Sequence, residues 1–458
     1  MSSGTLFVKD SRTLLEYEIP IHRNAILATA FKQIKATEAS TDRANKVAAG
    51  LRVHDPGLQN TTVIETDISF ADSERGLLLF RGYSLEQLWN SDFEEMLHLM
   101  VWGRYPTLLQ KKELSQILAT NMSQVPESVI KTIQAFPIAA PPMPMIIAGL
   151  AAYVACDPES IPASNGGNIY QGNAVKTDKG IIKAVSCYAV VVGLVACHRK
   201  GIPFVAASMD RTYYENLFIM MGLVDPSTGR PDPVKLSCFQ RFGVLNADNG
   251  MALSAFTTLV SASSLPDPIS CLISAFAAAC GPLHFGASES AHLALKEIGT
   301  PKNVPKFIQQ VKRGERKLFG YGHRTYKGID PRVPPIKKIL NEVNVTSHPL
   351  FKVAEEIERV ASSDDYFKSR GLHPNADFYG NFMFIDIGFE PEFIPIAMFA
   401  QRIVGIMAHW REYMRKSPLE ILRWRCLICA IVKRGKLFRP SHIYTGNADP
   451  FANLPSRL

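Results

Sequence analysis

Three long uncharged runs constrain this chain more than any other feature. Residues 184–197, 250–266 and 394–400 contain no Asp, Glu, Lys or Arg. A helix without a polar face has to be enclosed by protein on most sides, so these runs read as helices inside a large core. At 458 residues the chain can supply one. It is also long enough for more than one domain, because single cores stop growing near ~250–300 residues. Phe93, Met96, Leu97 and Met100 fall at the i, i+3, i+4, i+7 spacing of one apolar face. Leu350, Val353, Ile357 and Val360 do much the same beside Glu355, Glu356, Glu358 and Arg359. Ser84-Leu85-Glu86-Gln87 has the form of a capping box and announces another helix. Extended structure is expected only early, at residues 17–21 and 63–70, with a helical stretch at 28–34 and a turn at 72–76. There is no βαβ alternation, no GxGxxG opening a helix, no P-loop and no fixed-period repeat. The fold is mostly α.

Charge and cysteine usage exclude several classes. The formal charge of +8 is modest and suits anionic small molecules. It is not gathered into a Lys/Arg tract of the kind that binds nucleic acid. Eight cysteines lie mostly in apolar surroundings, where a free thiol behaves as a small hydrophobe. Cys426 and Cys429 form a lone CxxC; with His442 they make an incomplete ligand set, so no metal site is expected. Residues 135–156 are uncharged, but Pro137, Pro141, Pro142 and Pro144 break the first half. The rest is too short for a bilayer, which needs about 20 residues, and reads as a buried helix. The N-terminus lacks an apolar secretory core and carries Asp10, Glu16 and Glu18 early, unlike an acid-poor presequence. Ser456-Arg457-Leu458 resembles the peroxisomal Ser-Lys-Leu ending, which makes the peroxisome the expected address and the cytoplasm the alternative.

The chemistry concentrates in residues 281–332. Gly281-Pro282-Leu283-His284-Phe285-Gly286-Ala287 opens this stretch, and the run from Leu318 through His323 to Asp330-Pro331-Arg332 closes it. Each half sets a histidine among glycines, which allow a ligand to approach the backbone closely. Histidine suits proton traffic near neutrality. Asn375-Ala376-Asp377-Phe378-Tyr379 adds an isolated carboxylate. Taken singly, such a histidine is ordinarily a loop or core residue, Asp377 an N-cap, and Arg332 a surface arginine. Together they point to acid–base chemistry on an anionic substrate.

Several motifs in one order carry a resemblance over nearly the whole chain. They are Phe80-Arg81-Gly82-Tyr83-Ser84-Leu85-Glu86-Gln87-Leu88, residues 281–287 and 320–332, residues 375–379, Ala408-His409-Trp410, and Arg439-Pro440 with Ile443-Tyr444-Thr445-Gly446. In these the chain resembles the citrate synthase family, and in its details the fungal members, including those that make alkylcitrates in secondary metabolism. The resemblance implies an α-helical homodimer with a shared active site, in which a small domain closes over a large one. The boundaries expected are 1–287 and 396–458 for the large domain and 288–395 for the small one, the latter more charged than its flanks. It implies condensation of an acyl-CoA with oxaloacetate followed by thioester hydrolysis, with no cofactor. On the matching positions, His284 hydrogen-bonds the thioester carbonyl, Asp377 removes the α-proton, and His323 polarises the keto group. Arg332, Arg402 and Arg439 hold carboxylates, Arg439 from the neighbouring subunit. Phe319, Gly320, Tyr321 and Gly322 approach the CoA adenine.

Two departures bear on function. Where the family usually has His-Ala-Asp-His-Glu, this chain has Asn246-Ala247-Asp248-Asn249-Gly250, and a familiar Asn appears as Ala252. Asn249 replaces a histidine that helps bind oxaloacetate; its amide still donates a hydrogen bond but carries no charge. The expected reading is a specialised biosynthetic enzyme making an alkylated citrate. The alternatives are ordinary citrate or 2-methylcitrate synthesis, or an inactive homologue that binds CoA or a partner. Residues 416–432 look inserted, with Ser417, Pro418 and Glu420 forming a plausible helix start. They are either a helix at a partner or dimer surface or translated intron sequence.

Overall fold

The computed structural model describes residues 3–35, 50–72, 74–326, 328–415 and 437–440. The expectations for residues 416–432, for Cys426, Cys429 and His442, and for Ser456-Arg457-Leu458 lie outside them. The chain forms two compact units, Met1–Thr66 with Arg439–Leu458, and Asp67–Phe438.

In the first unit, β1 (Ser3–Lys9) and β2 (Glu16–His22) form an antiparallel hairpin, extended by β3 (Ala25–Ile26). The stretch expected to be helical at 28–34 winds as a 3-10 helix over Ala28–Gln33 and buries none of its side chains. A segment without a buried face has little to stabilise a longer helix.

The second unit opens with a small antiparallel sheet of β4 (Ser69–Asp72), β5 (Leu77–Phe80) and β6 (Tyr83–Ser84). Pairing therefore starts six residues later than the alternation at 63–70 predicts. Asp72 Oδ1 accepts from the backbone N–H groups of Glu74 and Arg75, which makes the expected turn. The capping box at Ser84 forms, with Ser84 N–H on Gln87 Oε1 at 2.9 Å and Gln87 N–H on Ser84 Oγ at 3.3 Å. Only turns follow it. The helix begins at Phe93, behind a second box built by Asp92 and Glu95.

Sixteen α-helices follow among the described residues. The first nine are α1 (Phe93–Trp102), α2 (Leu108–Ser123), α3 (Glu127–Gln134), α4 (Pro142–Ala155), α5 (Ala174–Lys200), α6 (Tyr213–Met220), α7 (Pro233–Asn246), α8 (Leu253–Ala262) and α9 (Pro268–Ala279). The rest are α10 (Gly286–Ile298), α11 (Val304–Lys312), α12 (Val333–Glu342), α13 (Pro349–Ser363), α14 (Asp365–Lys368), α15 (Ala376–Ile387) and α16 (Ile394–Arg415). Every residue from 184 to 197 is buried, and α5 packs against α2, α4, α6, α9 and α16. Gly193 permits this: a Cβ there would lie 2.5 Å from that of Met220. Helix α16 is buried from Ile394 to Trp410 and packs on α1, α7, α8, α9 and α10. The helices α5 and Pro391–Arg415 are long and apolar enough to cross a membrane, but their most apolar windows are 83% and 100% buried in the protein's own core. The run at 250–266 is helical only over Leu253–Ala262. Its first residues form a loop instead, and that loop carries Asn249 to the site.

Candidate active site

His284 sits in the tight turn between α9 and α10. Gly281 O accepts from the N–H groups of His284 at 2.9 Å and Gly286 at 3.2 Å. A Cβ on Gly286 would stand 2.7 Å from Cys280 O, so only glycine starts α10 here. Ser254, in the first turn of α8, places its Oγ 3.0 Å from His284 Nε2. Burial pushes this imidazole down to about 3, and the positive charges of Arg402 and Arg332 add to the effect. The ring is therefore neutral near neutrality and acts as a hydrogen-bond donor, not a cation.

Asp377 is the second residue of α15, whose cap Asn375 accepts from the Asp377 N–H at 2.9 Å. Ser288 Oγ reaches the backbone oxygen of Asp377 at 3.1 Å and its Oδ1 at 3.4 Å. Burial pushes the carboxyl up to about 6 against the opposing pull of Arg332. A carboxylate with that basicity is ionised at neutral pH and still a competent proton acceptor.

The arginines are held from behind. Arg332 is buried, and its Nε and Nη2 grip Asp330 at 2.9 and 2.6 Å in bidentate fashion. Burial alone would raise the Asp330 carboxyl, but Arg332 holds it below the usual range. The same carboxylate accepts from Ala376 N at 3.2 Å, which ties Arg332 to the start of α15. Arg402, buried in α16, donates from Nε to Asn246 O and lies 5.1 Å from the Phe285 ring centre. Burial pushes it down to about 10. Below this layer, Asp248 takes Ser69 Oγ at 2.5 Å and His409 Nε2 at 3.2 Å. Burial alone would raise Asp248, but His409 and Arg402 keep it low.

His323 Nδ1 accepts from the backbone N–H groups of Thr325 and Tyr326 at 3.0 and 3.2 Å. Its Nε2 lies 3.4 Å from Asn249 Nδ2, and Tyr326 OH bonds Asn249 Oδ1 at 2.9 Å.

The segment Phe319, Gly320, Tyr321 and Gly322 is strapped to the residues just before α15. Gly320 O accepts from Asn375 N–H, and Gly322 O from Asn375 Nδ2, both at 2.8 Å, while Gly322 N–H reaches His373 O at 2.8 Å. Both glycines have φ near +78°, and a Cβ on Gly320 would lie 2.7 Å from the Phe378 backbone. The strap thus fixes the entry to the helix that bears Asp377.

Arg332 and Arg402 act electrostatically on both His284 and Asp377, and His323 acts on His284. Asn249 joins them through His323. Arg439 is exposed and belongs to the first unit. Sequence reasoning overlooked Ser254, Ser288, Asp330 and Tyr326. The last two lie inside a motif that had been singled out; the two serines carry no local signal. Among the described residues no group of three His, Cys, Asp or Glu side chains could hold a metal.

A sequence profile described as "Citrate synthase, C-terminal domain" matches residues 57–425. The chain is 50% identical to "Alkylcitrate synthase phiJ" of a fungal species, over 93% of each chain. It is 47% identical to "Alkylcitrate synthase tstJ" of Talaromyces stipitatus, over 92% of this chain and 94% of that one. It is also similar to a solved citrate synthase from Thermoplasma acidophilum in ternary complex with carboxymethyl coenzyme A and oxaloacetate. That match has a TM-score of 0.73 at 25% identity and covers 86% of this chain and 96% of the other.

Proposed function

Since the chain belongs to the citrate synthase family, we propose that it condenses an acyl-CoA with oxaloacetate and releases an alkylated citrate and free CoA. The observation that supports this reading is that Arg332 and Arg402 both act on His284, which burial keeps neutral, and on the Asp377 carboxylate, which burial makes more basic.

A proton α to a thioester is too weakly acidic for a carboxylate unless the enol oxygen is stabilised as charge develops on it. Asp377 takes that proton while His284 donates to the thioester carbonyl. A positioned base contributes ~10²–10⁴-fold, and the donor supplies much of the remainder. The α-carbon of the enol then bonds to the keto carbon of oxaloacetate, and the carbonyl electron pair moves onto oxygen. His323 polarises that oxygen and protonates it, and the proton on Asp377 passes through water to His323, which restores both groups. Water finally cleaves the thioester, and CoA leaves as the thiol.

Arg332 and Arg402 hold the carboxylates, since the planar guanidinium binds them in bidentate fashion. Arg439 of the partner subunit completes the set in a homodimer. Residues 288–395 act as the closing lobe, which excludes water until condensation is done. The strap at Phe319–Gly322 brings backbone groups to the CoA adenine. The ending Ser456-Arg457-Leu458 supports a peroxisomal address.

The test is product identification. Purified protein is incubated with oxaloacetate and acyl-CoAs from two carbons to long chain, and the acids formed are weighed by mass spectrometry. An alkylcitrate from a medium or long chain supports the reading. Citrate alone, from acetyl-CoA alone, moves the protein to ordinary citrate synthesis.

A further inference from the structure

We infer that Phe285 is a positioning residue whose ring holds the Arg402 guanidinium and the His284 imidazole at a fixed separation, and with them the two substrates. This rests on the condensation proposed above, in which Arg402 takes a keto-acid carboxylate and His284 the thioester carbonyl.

The backbone fixes the ring first. Phe285 N–H donates to Ala279 O at 2.9 Å, and Phe285 O accepts from Ser288 N–H at 3.1 Å. The residue is thus tied to the last turn of α9 and to the first turn of α10. Its side chain is only 3% exposed. The ring centre stands 4.4 Å from that of His284, with 34° between the two planes. It stands 5.1 Å from the central carbon of the Arg402 guanidinium, which lies over the ring. One phenyl group therefore packs against both the donor that precedes α10 and the cation carried by α16.

Charge explains why a ring belongs here. Arg402 is buried, which pushes it down to about 10; Asp248 opposes that push and Arg332 adds to it. A desolvated guanidinium needs negative potential nearby, and the face of an aromatic ring supplies it. A carboxylate at 285 would supply more, but it would take the very nitrogens that a substrate carboxylate needs. Arg402 Nε already donates to Asn246 O. A substrate carboxylate is therefore met by Nη1 and Nη2, whose direction follows the plane of the guanidinium. Asn246 O and the Phe285 ring set that plane together. His284 has the opposite need, since it must stay neutral, and burial is the largest cause that keeps it so. The same ring gives it apolar cover. Bond formation requires the enol carbon and the keto carbon to approach within about 3–3.5 Å. A rigid ring in contact with both holders leaves that distance little room to vary.

The experiment compares wild type, Phe285→Leu, and protein carrying mono-, di- or trifluorinated phenylalanine in place of Phe285. Fluorine withdraws negative charge from the ring face and leaves the shape nearly unchanged, which separates electrostatic holding from packing. Oxaloacetate binding is read by calorimetry, KM and kcat by oxaloacetate-dependent thiol release, and folding by thermal midpoint. KM for oxaloacetate should rise stepwise with fluorination, to about tenfold at three fluorines. Phe285→Leu should show a similar rise and lose kcat by about tenfold through misalignment. KM for acyl-CoA should not move across the fluorinated series, which a general loss of packing would not spare. Oxaloacetate binding and KM that stay flat across that series overturn the inference, whatever Phe285→Leu does. If Phe285→Leu fails to fold, the fluorinated proteins carry the decision. Wild type that releases no thiol with any acyl-CoA overturns the functional reading and the inference together. Active wild type with a flat fluorinated series overturns the inference alone.

Discussion

Ser288 Oγ donates to the backbone oxygen of Asp377 at 3.1 Å and stands 3.4 Å from its Oδ1. The hydroxyl comes from the first turn of α10, four residues after His284, so one helix start serves both the donor and the base. Ser288 lowers the Asp377 carboxyl against the larger upward push of burial. Ser288→Ala is therefore expected to move the acid limb of the pH–rate profile to higher pH. It should cost about 2–10-fold in kcat/KM at pH 6–7, the worth of one hydrogen bond. An unshifted profile would assign Ser288 to packing alone.

Asp377 itself sets the position of that limb. With the carboxyl pushed up to about 6, kcat/KM in the wild type should fall about tenfold per pH unit below that value. His284, pushed down to about 3, adds no limb of its own in that range. The same shift has a stability consequence. A carboxyl with a raised folded pKa binds its proton more tightly in the folded state, so its ionisation costs stability above about 6, and the cost disappears once the group is protonated in both states. Asp377→Asn should raise stability by about 1–2 kcal/mol at pH 8 and by nothing measurable below pH 4. Denaturant titrations at the two pH values check the sign.

Gly320 and Gly322 share a backbone conformation but not a neighbourhood. A Cβ on Gly320 meets the Phe378 backbone at 2.7 Å, whereas one on Gly322 meets only the tip of Leu372. Gly320→Ala is expected to cost about 2–4 kcal/mol, from the left-handed φ plus the overlap, and Gly322→Ala about 1–2 kcal/mol. Gly320→Ala should also reduce kcat, because the displaced residue lies next to Asp377. Urea midpoints and steady-state rates on both variants test the order.

Arg439 offers a test of the shared site. If it serves the partner subunit's site, Asp377→Ala and Arg439→Ala are each inactive alone. Subunits mixed after exchange should regain about a quarter of wild-type activity, since half of the random dimers hold one intact site. No recovery, with exchange verified by mass, would place Arg439 outside the partner's site.

Much of this was legible in the sequence where a signal is local and periodic. The uncharged run at 184–197 leaves α5 no polar face, and the spacing of Phe93, Met96, Leu97 and Met100 marks the buried side of α1. Glycine-flanked histidines and Asp377 stood out by composition, and the structure gathers them. Other features depend on what surrounds them. The box at Ser84 forms its bonds and starts no helix, although Leu85, Leu88 and Trp89 follow at helical spacing. The run at 250–266 is uncharged for two reasons: part of it is helix core, and part is a loop at the site. The hydroxyls of Ser254, Ser288 and Tyr326 act across 30, 89 and 77 residues of chain. No window of sequence contains both ends of such a bond.

The most direct test of the account is thiol release from a panel of acyl-CoAs, with and without oxaloacetate, on wild type and Asp377→Ala. The account predicts release that requires oxaloacetate, favours one range of acyl chains, and falls by at least ~10²-fold in the variant. Folded wild type that releases no thiol from any acyl-CoA, or a variant as active as wild type, would contradict it.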